Sequence, residues 1–161
     1  MNFVESETVE LKSTVVADLC KEVIAFANTK GGLLYIGVED DGTVVGVEGA
    51  DRITLQVNNM VRDSIKPDLT MFVRYETQTV EGKQIIAVTV QKGTDRPYYL
   101  GSKGLRPSGV YVRNGTSSDP ATDTAIRRMI KETDGDSFES MRSLEQNLSF
   151  QAAETQFSKR N

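Results

Sequence analysis

The stretch that most restricts what this chain can become is Gly31-Gly32 followed by Leu33-Leu34-Tyr35-Ile36-Gly37-Val38. A nearly continuous apolar run bounded by glycines and turn residues predicts a central strand covered on both faces. Just before it, Val16, Leu19, Cys20, Val23, Ile24 and Ala27 recur at spacings of three and four. That pattern gives a helix one apolar stripe. Ser13 or Thr14 can cap its start, while Asn28 and Gly31-Gly32 end it, because glycine accepts the left-handed conformation favoured at a helix C-terminus. Upstream, residues 7–12 alternate, with Val9 and Leu11 on one face and Thr8, Glu10 and Lys12 on the other, as in a strand. Downstream, Asp40-Asp41-Gly42 is turn chemistry, and Thr43 to Val47 is expected to return as the antiparallel partner of the central strand.

The remainder extends the same plan. Asp51 is placed to cap a second helix bearing Ile53, Val57, Met60, Val61 and Ser64, which must stop before Pro67. Residues 70–80 and 84–91 are strands around the hairpin signal Glu81-Gly82-Lys83. Arg96 to Leu100 is an aromatic loop, 101–109 is too rich in glycine, serine and proline to be regular, and Val110 to Arg113 is a short strand. Asp119-Pro120 predicts the start of a third helix, running to about Glu132 and broken by Asp134-Gly135-Asp136-Ser137. The sum is an α+β fold: a mixed, mainly antiparallel sheet with about three helices over residues 1–133. Residues 134–161 form a linker or the opening of a further C-terminal region, since Phe138 to Asn161 holds too few apolar residues to fold alone.

Composition removes several function classes. No apolar run approaches the roughly 20 residues of a membrane span, and the first residues lack the basic-then-apolar pattern of a secretion signal. A cytoplasmic protein is expected. One cysteine, Cys20, rules out an internal disulfide and falls on the apolar helix stripe. With no histidine there is no zinc donor set, so any metal would be a hard cation on oxygen ligands. The net charge of −4 opposes simple adhesion to nucleic acid, but the charge is unevenly spread. Residues 1–91 hold 8 Lys+Arg against 14 Asp+Glu, residues 92–131 hold 8 against 3, and residues 132–161 hold 3 against 6. A local basic segment can bind phosphate where the whole molecule would not.

Three pieces in order carry a family likeness: Glu5-Ser6-x-x-Val9-Glu10-Leu11-Lys12, Ala25-Phe26-Ala27-Asn28-Thr29-x-Gly31-Gly32, and Ile36-Gly37-Val38-x-Asp40-Asp41-Gly42. With Gly109-Val110-Tyr111-Val112-Arg113-x-Gly115 and Ala121, they resemble the Schlafen/AlbA-like domain family from residue 4 to about 133. That family is described as DNA-binding and, elsewhere, as a divergent AAA-type ATP-binding domain. The resemblance implies an α+β fold with nucleic acid as ligand, DNA ahead of RNA, at the N-terminus of a bacterial transcriptional regulator. On that view the chain is a piece of a longer protein.

The resemblance also implies a rival role. In Schlafen relatives that cleave structured RNA, acids matching Glu5, Glu10 and Asp40 bind divalent metal, and Mg²⁺ or Mn²⁺ there would activate water against a phosphodiester. Against this, Glu10 is an ordinary exposed-strand position, Asp40 a turn former, and Glu7, Glu39 and Asp41 are acids just as near. Asn28 to Gly32 form a polar cluster, but the glycines follow a helix rather than precede one, so no phosphate loop is present and ATP has little support. The strongest nucleic-acid feature is Arg96, Tyr98, Tyr99, Lys103, Arg106, Tyr111 and Arg113, joined by Lys30: guanidinium groups pair with phosphates and tyrosines stack on bases. Arg127, Arg128 and Lys131 fit a solvated helix face. Binding, metal-dependent cleavage, and nucleotide binding or assembly as a homodimer all stay open. A shared ligand groove requires the late cations and the early acids to line one concavity.

Overall fold

A computed structural model describes residues 3–147, with side chains placed through residue 135. Four strands form the main sheet, in the order β1 (Val9–Lys12), β2 (Gly32–Ile36), β5 (Lys83–Val90), β4 (Val73–Val80). The first two run parallel because helix α1 (Leu19–Asn28) carries the chain back between them; the other pairings are antiparallel. The mixed, mainly antiparallel sheet and the three helices are as the sequence predicts.

Helices α1 and α2 (Ala50–Ser64) cover one face of the sheet. Leu34, Ile36, Ile86, Val88 and Val90 meet Leu19, Val23, Ile24, Val57 and Val61 there in one buried cluster. Each such side chain contributes about 1.5–3 kcal/mol by leaving water. The opposite face is covered more thinly, by Phe3, Leu11, Val38, Val44 and Ile85. Gly31 closes α1 with φ +78°, its N–H bonded to the carbonyl of Phe26, and a Cβ there would stand 2.7 Å from the Val90 carbonyl oxygen. Both demands, left-handed backbone and close approach, select glycine.

Four local expectations are corrected. Residues 43–47 form no strand: Val38 and Val44 make one isolated bridge, and Gly46 (φ +75°) bends the chain so that the Val45 and Gly46 N–H groups both reach the Gly37 carbonyl. The place beside β2 is taken by β5. Helix α2 begins after Gly49, in left-handed conformation, and Asp51 sits in its first turn, where a carboxylate faces the positive end of the helix dipole. Asp119-Pro120 does not open a helix. Those residues end β8 (Ser117–Pro120), which pairs with β7 (Tyr111–Asn114) through a turn at Gly115 (φ +62°). Helix α3 starts instead at Asp123, capped by the Thr122 hydroxyl, and continues to Asn147 through Gly135. One glycine in a helix costs only about 1 kcal/mol, too little to force a break. Residues 148–161 of the expected linker lie outside the described residues.

A separate cluster of Val110, Ala121, Ile126 and Met129, with Tyr99 alongside, fixes α3 to both ends of the 101–109 loop. The two-residue strands β3 (Ile65–Lys66) and β6 (Tyr99–Leu100) anchor that loop to the end of α2. Asn28 joins these parts to the helix layer. Its buried amide donates to the carbonyls of Tyr98 (3.0 Å) and Tyr111 (2.9 Å) and accepts from the Tyr98 N–H (2.8 Å). Asn28→Ala would leave those buried backbone groups unpaired, so a loss of about 2–4 kcal/mol is expected in urea unfolding. A change below about 0.5 kcal/mol, the range of an ordinary surface substitution, would mean the amide is not a structural staple.

Candidate functional site

Strand β1 sets the geometry. Its alternation puts Val9 and Leu11 on the thinly covered face, and Glu10 and Lys12 on the face that α1 covers. Glu10 is therefore buried rather than exposed as its strand position suggests. Glu22 comes down from the first turn of α1, and Arg113 reaches in from β7, which runs along that helix.

The Arg113 guanidinium is the hub. Nη1 stands 2.9 Å from Glu10 Oε1 and 3.2 Å from Glu22 Oε1, and donates to Ser118 Oγ at 3.0 Å. Nη2 donates to the carbonyls of Ser6 (2.9 Å) and Val9 (3.1 Å). The group lies over the Phe26 ring, 4.9 Å from its centre, and its side chain is 1% exposed. Its backbone N–H donates to Thr29 Oγ1, whose hydroxyl in turn donates to the Ala25 carbonyl. Ser118 donates its own hydroxyl to Glu22. Lys12 completes the group, with Nζ 3.3 Å from Glu22 and 3.6 Å from Glu10. Once Glu10 is ionised, two carboxylates and two cations balance inside the fold.

Burial pushes the Glu10 carboxyl up to about 7; Glu22 and Glu5 add to the rise, and Arg113 opposes it. Lys12 loses by burial but gains more from Glu22 and Glu10, and ends above its ordinary value. Glu5 has a different task. One of its carboxylate oxygens accepts the Leu11 N–H at 3.3 Å. Together with the Ser6 backbone and the Arg113 bond to the Val9 carbonyl, it occupies part of the outer side of β1, where a further strand would pair.

Several expected ligand residues are thereby corrected. Arg113, Tyr98 and Tyr111 are buried and cannot meet a nucleic acid. Tyr98 fills the core beside Gly93 and accepts the Asp95 N–H through its hydroxyl, whereas Tyr111 donates its hydroxyl to the Ser108 carbonyl. Arg96 is mostly buried and paired with Glu132 at 3.3 Å. Tyr99 is half-buried against α3. Lys30 is exposed but paired with Glu7 at 2.7 Å. Lys103 and Arg106 are exposed on their loop.

The acids Glu5, Glu10 and Asp40 do not fit a metal centre. Glu5 is engaged with the backbone and Glu10 with Arg113, while Asp40 stands exposed in the turn after β2. Among the described residues no group of three or more His, Cys, Asp or Glu could hold a metal ion. Nor do Gly31 and Gly32 cradle a phosphate: the space above them is filled by Val90, Phe26 and Thr8. No helix among the described residues is long and apolar enough to cross a membrane.

Glu22 and Ser118 escape sequence reasoning. Glu22 carries a signal, an acid inside an otherwise mostly apolar helix from Leu19 to Asn28, whereas Ser118 carries none. Thr29 belongs to the polar cluster at 28–32, but its bond to the Arg113 N–H is not legible there.

Residues 5–122 match the family model described as Schlafen, AlbA_2. This chain belongs to that family. The Schlafen AlbA_2 fold is shared with the N-terminal domain of a "Putative ATP-dependent DNA Helicase RecG-related Protein" from Nitrosomonas europaea, at 27% identity and a TM-score of 0.52, over 71% of this chain and 82% of that one. The DIP2311 protein from Corynebacterium diphtheriae has the same fold at 22% identity and a TM-score of 0.52, over 71% of this chain but 22% of its own. Functionally curated proteins give no match.

The charge quartet in this Schlafen AlbA_2 domain has a pH signature. The folded protein holds a proton on Glu10 where the unfolded chain, with an ordinary value of 4.5, has already lost it. This carboxyl therefore favours folding at low pH, and the contribution disappears as pH rises from about 5 to about 7. Urea unfolding across that range should show wild type losing stability relative to Glu10→Gln. Parallel profiles for the two proteins would contradict the assignment.

Proposed function

We propose that this Schlafen AlbA_2 domain is a nucleic-acid-binding module that contacts phosphates with the outer surface of its C-terminal part. One observation carries the reading. Of the eight cations between residues 92 and 131, Arg96 and Arg113 are consumed by internal ion pairs. Lys92, Lys103, Arg106, Arg127, Arg128 and Lys131 are all exposed, and among the described residues none of them forms an ion pair. The hydrophobic cluster of Val110, Ile126 and Met129 holds the 101–109 loop and α3 together, so Lys103 and Arg106 belong to the same small body as the helix cations. Arg127, Arg128 and Lys131 line one shallow depression with Thr124.

An overall charge of −4 then works as a filter. It repels polyanions from the rest of the surface and favours one orientation. The N. europaea neighbour is named for its relation to a DNA helicase, which supports DNA ahead of RNA as the ligand. A place in a regulator suits a module that supplies binding and leaves the output to another part. With Glu10 paired to Arg113 and Lys12, Glu5 bonded to the backbone and Asp40 apart in an exposed turn, the acids lend no support to metal-dependent hydrolysis.

Fluorescence anisotropy with duplex DNA, single-stranded DNA and structured RNA tests the reading. Lys103→Ala/Arg106→Ala and Arg127→Ala/Arg128→Ala should each weaken binding several-fold. Each should also lower the slope of log affinity against log salt by about one for every phosphate that is no longer neutralised. Wild-type affinity and slope in both double variants would reject this surface.

A further inference from the structure

The two edges of the main sheet are treated in opposite ways. At β1 the outward groups of Val9 are occupied by the Ser6 backbone and the Arg113 guanidinium, and the Leu11 N–H by the Glu5 carboxylate. At β4, eight residues long, no described strand pairs with the outer side. Long open edges are templates for another strand. In the β4–β5 ladder the Gln91 N–H donates to the Phe72 carbonyl, and the register pairs Arg74 with Thr89 and Glu76 with Ala87. Alternation then turns the N–H and C=O groups of Val73, Tyr75, Thr77 and Thr79 outward.

We propose that β4 is a self-association edge, through which two copies of this chain pair antiparallel about a two-fold axis at Tyr75. The side chains select this register. Outward-facing residues must pair with outward-facing residues, so allowed registers differ by two positions. With Tyr75 opposite Tyr75 of a second copy, Val73 meets Thr77, and Arg74 lies directly opposite Glu76, twice by symmetry. These are the non-hydrogen-bonded positions, where side chains approach most closely and opposite charges stabilise. A shift one way puts Glu76 against Glu76, and a shift the other way puts Arg74 against Arg74; like charges directly opposite are destabilising. Arg74 and Glu76 are both exposed and so available to a partner. Met71, at the mouth of the same edge, is 83% exposed, the most of any large hydrophobic residue among those described. The paired copies would form one continuous eight-stranded sheet, four strands from each.

Sedimentation velocity of the full chain over a concentration series tests this directly. Wild type should populate a dimer. Glu76→Arg, which sets like charges opposite one another, should raise the dissociation constant at least about tenfold, and Arg74→Glu should do the same. The exchange Arg74→Glu/Glu76→Arg should restore association to within about threefold. Thr77→Pro removes an outward N–H while sparing the β5 ladder and should leave monomer with an unchanged far-ultraviolet spectrum. A wild type that stays monomeric, a dimer insensitive to Glu76→Arg, or a charge exchange that fails to restore pairing would each overturn the proposal.

Discussion

The guanidinium of Arg113 is the point on which this fold turns. Belonging to β7, it touches β1, α1 and β8 at once. Removing an arginine and two carboxylates from water is expensive, and attraction between them offsets that only when nearly every donor and lone pair is used. The site meets that condition: both terminal nitrogens are engaged, Ser118 and Lys12 share the carboxylates, and only Nε is left to the face of Phe26. An arrangement so fully subscribed ties β7 and β8 to α1 and β1 through named partners.

That arrangement changes what the shared Glu-Ser-x-x-Val-Glu-Leu-Lys pattern means in this chain. Glu5 accepts an N–H at a strand edge, the Ser6 carbonyl and Glu10 hold Arg113, and Lys12 balances Glu22. Each has a structural partner within the domain. On the proposed reading, an outside ligand meets instead the cations between Lys92 and Lys131 that form no ion pair among the described residues. The same division governs the sheet edges, one partly occupied by charged side chains and the other left open.

Much of the architecture can be read from the chain. The Gly31-Gly32 stop, the apolar run after it, and the Glu81-Gly82 hairpin are local signals, and they lead to the right elements. The face that becomes buried is not legible. Val9/Glu10/Leu11/Lys12 alternates cleanly, and alternation tells which residues share a side, not which side a helix will cover. A polar face destined to lie under α1 has the same pattern as a wet one. The aromatic loop misleads for a related reason. Tyr98 and Tyr111 among arginines resemble a stacking platform, yet their neighbours Asn28 and Gly93 draw them into the core through contacts some 70 to 83 residues distant in sequence, or through a missing side chain. The third helix begins late because Asn114-Gly115 turns β7 back on itself, a hairpin cue that the stronger Asp-Pro signal obscures.

Glu10 and Glu22 are held for Arg113 rather than for an external metal or phosphate. A double-mutant cycle on Arg113→Met and Glu22→Gln, read by urea unfolding at neutral pH without added ligand, asks this most directly. The account predicts that each single change destabilises and that the pair is coupled by about 1–3 kcal/mol. Coupling near zero, with Glu22→Gln raising stability as expected when a carboxylate is held ready for a ligand, would contradict it.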